Sequence, residues 1–222
     1  LTKEQIKYID NQIANYGVQY WDVRIELIDH TVSYVEVNLK KQEDFKKVVH
    51  KAFVNLGWKG TFAHLNKQGW KNTNIFYRKI YMNGFLDFFT KIKNLLLFVI
   101  LFLIYYSISE VLSLKYFVVF SYILFFIPGL LFFWKSFVVW RKKYGKSVHK
   151  QYGLHYLICT LLLFQIIMIS LGESSLFSIP EEYHKLVLFI LIPVHLVFTY
   201  SGYQVYKIAI KKVENMKNKI LS

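Results

Sequence analysis

Four stretches of this chain, at about 95–112, 116–134, 154–171 and 186–206, are almost unbroken runs of apolar residues. Each approaches the roughly 20 helical residues that the hydrocarbon core of a bilayer requires. In lipid every backbone polar group must find its partner within the segment, so such runs fold as helices. The expected fold class is all-α: a four-helix transmembrane bundle over 95–209, preceded by a small N-terminal helical bundle. The central turns of the spans hold no Asp, Glu, Lys or Arg. They therefore lack the intramembrane charges that usually mark an ion path or a proton relay.

The basic residues orient the spans. Lys71, Arg78, Lys79, Lys91 and Lys93 precede the first span, and Lys135, Arg141, Lys142, Lys143, Lys146 and Lys150 lie between the second and third. Lys207, Lys211, Lys212, Lys217 and Lys219 follow the fourth. The other two connections carry only Lys115 and Lys185, beside Glu110, Glu173, Glu181 and Glu182. The positive-inside rule then expects both termini and the middle connection to be cytoplasmic, an N-in/C-in topology.

The formal charge of +14 raises the question of nucleic acid, and its distribution answers it. Residues 1–70 hold ten basic and eight acidic side chains, a net of +2; residues 71–222 hold eighteen and six, a net of +12. The excess sits in juxtamembrane segments, where it attracts the anionic headgroups of a lipid bilayer and no nucleic acid is expected. The single cysteine, Cys159, lies in the third span and leaves no internal disulfide. The first residues read as a polar amphipathic helix without a cleavable signal, so the first span is expected to direct insertion.

Residues 1–60 read as a three-helix domain expected in the cytoplasm. Thr2-Lys3-Glu4-Gln5 fits a capping box ahead of Ile6, Ile9 and Ile13, and Gly17 suits a helix stop. In the second helix Trp21, Ile25, Ile28, Val32, Val35 and Leu39 form the expected core stripe beside a polar row of Asp22, Glu26, Asp29, Ser33, Glu36 and Lys40. A third helix carries Phe45, Val49, Ala52, Phe53 and Leu56 before Gly57. Residues 61–94 mix aromatic and basic side chains, as an amphipathic connector in the membrane interface would, or as rings completing the N-terminal core would. Residues 210–222 form a basic tail.

Glu26, Asp29 and His30 are the one cluster with a chemical look. One helical turn separates Glu26 from His30, a spacing at which a carboxylate and an imidazole can share a divalent metal. One helix does not complete a site, however, and no metal is expected. His30 is instead expected in a second apolar row with Val23, Leu27, Tyr34 and Val37, partly buried and satisfied by a nearby carboxylate.

Leu1-Thr2-x-x-Gln5-Ile6, Gly17, Asp22-Val23, Glu26-Leu27-x-Asp29-His30, Glu36, Phe45 and Leu56-Gly57-Trp58 together resemble the HAAS or permease-prefix domains. These modules stand at the N-terminus of many bacterial membrane proteins, and the likeness covers about the first 60 residues. The resemblance implies a sensory or interaction element ahead of transmembrane helices in a bacterial inner membrane. It points to a protein partner, with Asp22, Glu26, Asp29, His30 and Glu36 as the candidate docking residues.

Within the spans, Tyr106, Tyr122, Gln165 and His195 each fall about 12 residues from a cytoplasmic end, near mid-bilayer at a rise of about 1.5 Å per residue. Polar side chains at that depth turn inward and bond across helices, so a Tyr122, Gln165 and His195 layer is expected inside the bundle. Such a layer either fixes packing or holds a ligand or proton site. Pro128-Gly129 and Pro193 either kink their spans or unwind them around a substrate. Ser178-Ile179-Pro180-Glu181 reads as a second capping box, starting the fourth helix outside the membrane. Thr199, Ser201 and Gly202 offer a small-residue packing face. No base, nucleophile and orienting group assemble into a catalytic set, and no cofactor motif is present.

The expected function is a non-enzymatic membrane accessory, interaction or regulatory subunit. The competing expectation is a small transporter or membrane enzyme working at the level of Gln165 and His195.

Overall fold

A computed structural model describes residues 1–39, 43–142, 144–171 and 179–221. Among these residues it is all-helical: α1 (Lys3–Asn15), α2 (Trp21–Asn38), α3 (Phe45–Asn55), α4 (Ala63–Thr90), α5 (Ile92–Val111), α6 (Leu114–Arg141), α7 (Val148–Ser170) and α8 (Glu181–Leu221). The chain divides into two compact units. Unit 1 is Leu1–Ile75 with Tyr144–Gln151 and Lys212–Ser222, and unit 2 is Phe76–Lys143 with Tyr152–Lys211.

Unit 1 begins with local signals that close as written. The Thr2 hydroxyl accepts from the Gln5 backbone N–H at 3.2 Å while the Gln5 side chain accepts from Thr2 N–H at 2.9 Å. Both are donors that a helix start leaves open. Gly17 takes φ +95°, a left-handed conformation that glycine adopts without Cβ strain, and turns the chain out of α1. The core joins Ile9 and Ile13 of α1, Leu27 and Val35 of α2, and Val48, Val49, Ala52 and Phe53 of α3, closed by Phe62. Tyr16 packs its ring against Phe53, Trp58 and Phe62 at 5.3 to 6.1 Å. Each such apolar side chain contributes roughly 1.5–3 kcal/mol on burial.

The α2 stripe differs from the sequence expectation. Its most buried line runs through Leu27, Thr31 and Val35, while Ile28, Val32 and Leu39 pack at the core's edge and Trp21 and Ile25 lie outside it. Thr31 is fully buried because its hydroxyl donates to the Leu27 carbonyl at 2.7 Å, so a polar residue enters the core with its hydrogen bond made.

Unit 2 holds the apolar helices. Four helices are long and apolar enough to cross a membrane: Ile92–Val111, Leu114–Arg141, Val148–Ser170 and Glu181–Asn218. Side chains such as Leu96, Ile100, Leu103, Leu130, Phe133 and Ile166 stand exposed on their outer faces. Apolar surface of that extent is what a lipid solvent covers. Inside, Tyr105, Phe117, Phe125, Met168, Leu188 and Ile192 form a core across α5, α6, α7 and α8.

The segment read as an interfacial connector is one helix, α4, whose second half belongs to unit 2. There Phe85 stacks on Phe198 of α8 at 4.4 Å, and Tyr81 on the same ring at 5.6 Å. Gly84 lets the two helices meet: a Cβ built there would lie 2.8 Å from Ser201 Oγ. Gly153 of α7 plays the same part against Ala209 of α8, again at 2.8 Å. Small residues permit such backbone approach between apolar helices. Pro128 and Pro193 lie inside α6 and α8, which continue through them without an unwound stretch. The Ser178 capping box lies outside the described residues; α8 starts at Glu181.

Candidate functional site

The densest polar structure is in unit 1, where the first turn of α2 grips the connection between α6 and α7. Ser147 stands immediately before α7, and its hydroxyl accepts from Lys150 N–H at 3.1 Å, which makes it the helix cap. Asp22 completes that cap from α2: its Oδ2 accepts from Ser147 Oγ at 2.8 Å and from His149 N–H at 3.0 Å. A carboxylate facing the positive end of a helix is favourable on charge as well as geometry. Asp22 is only 2% exposed.

Trp21 adds two bonds. Its backbone N–H donates to the Lys146 carbonyl at 3.1 Å and its indole Nε1–H to the Tyr144 carbonyl at 2.7 Å. Gly145, at φ +75°, turns the connection beneath the indole, where a Cβ would sit 3.5 Å from Trp21 Cδ1. The Tyr144 hydroxyl donates to Glu214 at 2.6 Å, and the Lys217 amine lies 5.5 Å from the Tyr144 ring centroid. Three segments remote in sequence, the start of α2, residues 144–149 and the end of α8, are thus tied together in one unit.

The candidate docking residues divide accordingly. Asp22 has its carboxylate committed inside unit 1. Glu26, Asp29, His30 and Glu36 stand exposed along α2, with Glu36 Oε1 3.2 Å from the Leu1 amino nitrogen. His30 was expected to be partly buried, but it faces outward because the α2 core line passes through Thr31, about 100° round the helix. Among the described residues no three His, Cys, Asp or Glu side chains group as metal ligands.

A groove of about 590 Å³ opens in the same unit. Lys3, Ile6, Lys7 and Asp10 line it from one face of α1, and Trp21, Arg24, Ile25 and Ile28 from one face of α2. Tyr144 and Lys217 complete it. Asp10 pairs with Arg24 across it at 3.5 Å.

In unit 2 the residues expected at mid-bilayer do not gather into one layer inside the bundle. Tyr106 and Gln165 lie on the exposed surface. Tyr122 donates its hydroxyl to the Met168 carbonyl. His195 is fully buried, stacked on Phe125 at 4.3 Å and edge-on to Phe164 at 5.7 Å, with neither ring nitrogen in a well-formed hydrogen bond and the Phe125 backbone as the polar group beside it. The polar pair inside the bundle is instead Tyr105 and Ser121, 2.7 Å apart, with the Ser121 hydroxyl donating in turn to the Phe117 carbonyl at 2.8 Å. Depth along the helix pointed to Tyr106, one residue and about 100° away. At one end of unit 2, Lys185 pairs with Glu110 at 2.7 Å, joining α8 to α5.

No protein-family model matches the chain, and neither a curated protein nor a solved structure matches it.

Proposed function

We propose that this integral membrane protein is a non-catalytic accessory or regulatory subunit whose N-terminal domain docks a basic segment of a protein partner on α2. The observation that carries this reading is the pairing of two strips on one helix. Glu26, Asp29 and Glu36 are exposed on one strip. Through Trp21 and Asp22 the start of the same helix is bonded to the segment that begins α7. A partner that draws on α2 thereby acts on a cap of a membrane-spanning helix. The likeness of the first 60 residues to HAAS or permease-prefix modules agrees with an interaction role.

The orientation that accompanies this reading places both termini and the α6–α7 connection on the cytoplasmic side of a bacterial inner membrane. Its support is the gathering of residues 1–75, 144–151 and 212–222 into one unit, which requires those three segments to share a side. The ion pair of Glu110 with Lys185 likewise joins the two connections expected on the opposite side.

A photoreactive residue at Ser33, between the acidic side chains, tests the proposal in cells. A discrete cross-linked protein is expected, lost on Glu26→Lys with Asp29→Lys and retained in His195→Ala and Gln165→Ala. A second reading, a small transporter or membrane enzyme, draws on the buried His195 ring. Loss of cellular function in His195→Ala, with the cross-link unchanged by charge reversal on α2, would replace the first reading with the second.

A further inference from the structure

The groove of unit 1 has a composition that partner docking on the acidic strip does not use. Its α1 wall repeats at Lys3, Lys7 and Asp10, and its α2 wall at Trp21, Ile25 and Ile28, in each case the spacing of a single helix face. Four basic side chains, Lys3, Lys7, Arg24 and Lys217, face one carboxylate, Asp10, and that carboxylate is already paired with Arg24. The amines of Lys3, Lys7 and Lys217 are therefore in excess over acid in the groove. Glu214, just behind Tyr144, is engaged by the Tyr144 hydroxyl.

Between these charges the surface is apolar. Ile6, Ile25, Ile28 and the ring of Trp21 line the groove, and Trp21 and Ile25 are the two residues that the α2 stripe withholds from the domain core. A groove of about 590 Å³ lies within the range of sites that hold small ligands. Cations beside an apolar floor select a molecule with the matching halves, an anionic head and a hydrocarbon portion. A chain with four helices apolar enough to cross a membrane meets one such molecule constantly, the anionic phospholipid.

We infer that this groove is a binding site for one anionic phospholipid, its phosphate held among Lys3, Lys7 and Lys217 and its first hydrocarbon segments laid against Trp21, Ile25 and Ile28. None of Glu26, Asp29 and Glu36 lines the groove, so substitutions on the acidic strip and in the groove test the two readings separately.

Native mass spectrometry of the full chain, delipidated in a neutral maltoside detergent, tests this with equal amounts of phosphatidylglycerol and phosphatidylcholine of identical acyl chains. One phosphatidylglycerol per chain is expected in preference to phosphatidylcholine. Two exposed amines are removed in Lys3→Gln with Lys7→Gln, and the preference should fall about tenfold or more. Ile25→Gln should weaken retention while leaving the helical circular dichroism intact. Inorganic phosphate at millimolar concentration should not displace the lipid, whereas a short-chain phosphatidic acid should. Equal retention in Lys3→Gln with Lys7→Gln would overturn the inference. So would an equal loss in the control pair Lys115→Gln with Lys135→Gln, which removes the same charge elsewhere, or displacement by phosphate alone, which would mark a simple anion site.

Discussion

Asp22 shows how a single carboxylate takes its role from what it meets. On a helical wheel it belongs to the polar row of α2, yet it is buried because the Ser147 hydroxyl and the His149 amide, which the start of α7 leaves open, both donate to it. Asp22→Ala strands both donors and should lower stability by about 1–3 kcal/mol. Hydrogen exchange should register this as faster exchange of the His149 amide, while Glu26→Ala, on the exposed strip, leaves that amide unchanged. Tyr105 and Ser121 make a second residue-scale case. Ser121 both accepts from Tyr105 and donates to Phe117, so the two deletions are not equivalent. Tyr105→Phe removes one bond and should cost about 0.6 kcal/mol, the usual worth of an interhelical bond in a membrane. Ser121→Ala leaves a buried phenol without its acceptor and should cost about 1–3 kcal/mol. Thermal unfolding in detergent distinguishes the two. Tyr106→Phe, on the exposed face, should be neutral in the same assay.

At the scale of elements, capping chemistry and apolar periodicity were readable and rotation about the helix axis was not. The Thr2 box and the Gly17 stop follow from short-range signals, and the structure places both where the residues indicate. The facing of α2 was misjudged because Thr31 counts as polar in a pattern but is apolar in effect once its hydroxyl is bonded to Leu27. That rotation moves Trp21 and Ile25 from the core to the groove, and His30 from the core's edge to the surface. The connector 61–94 stayed open between an interface and a core because aromatic rings suit either; Phe62 closes the core of unit 1, and Gly84 meets Ser201 in a helix seam in the second half of α4. Gly84→Val puts side-chain atoms where Ser201 already lies, and should cost about 1–3 kcal/mol in the thermal unfolding of the detergent-solubilised protein. Leu130→Ala, at a site 72% exposed, gives the neutral comparison.

For the whole molecule, the proposed topology makes a prediction with two readouts. In a background carrying Cys159→Ser, a cysteine introduced by Lys146→Cys should react with a membrane-impermeant maleimide only after the cells are opened. One introduced by Lys115→Cys should react in intact cells. Reversed labelling would invert the orientation that the lysine distribution implies. The class of fold was accessible from composition along the chain, because lipid admits so few backbone solutions that length and apolarity alone select helices. The grouping of residues 1–75, 144–151 and 212–222 was not legible, because the basic residues that orient the spans lie mostly outside these segments and assign a side, not a contact. Short-range chemistry and the choice of solvent therefore settled that the chain is helical and which stretches run apolar. The packed structure alone decided which residue of each turn faces which neighbour, because that depends on the meeting of segments more than a hundred residues apart, as when Asp22 caps α7.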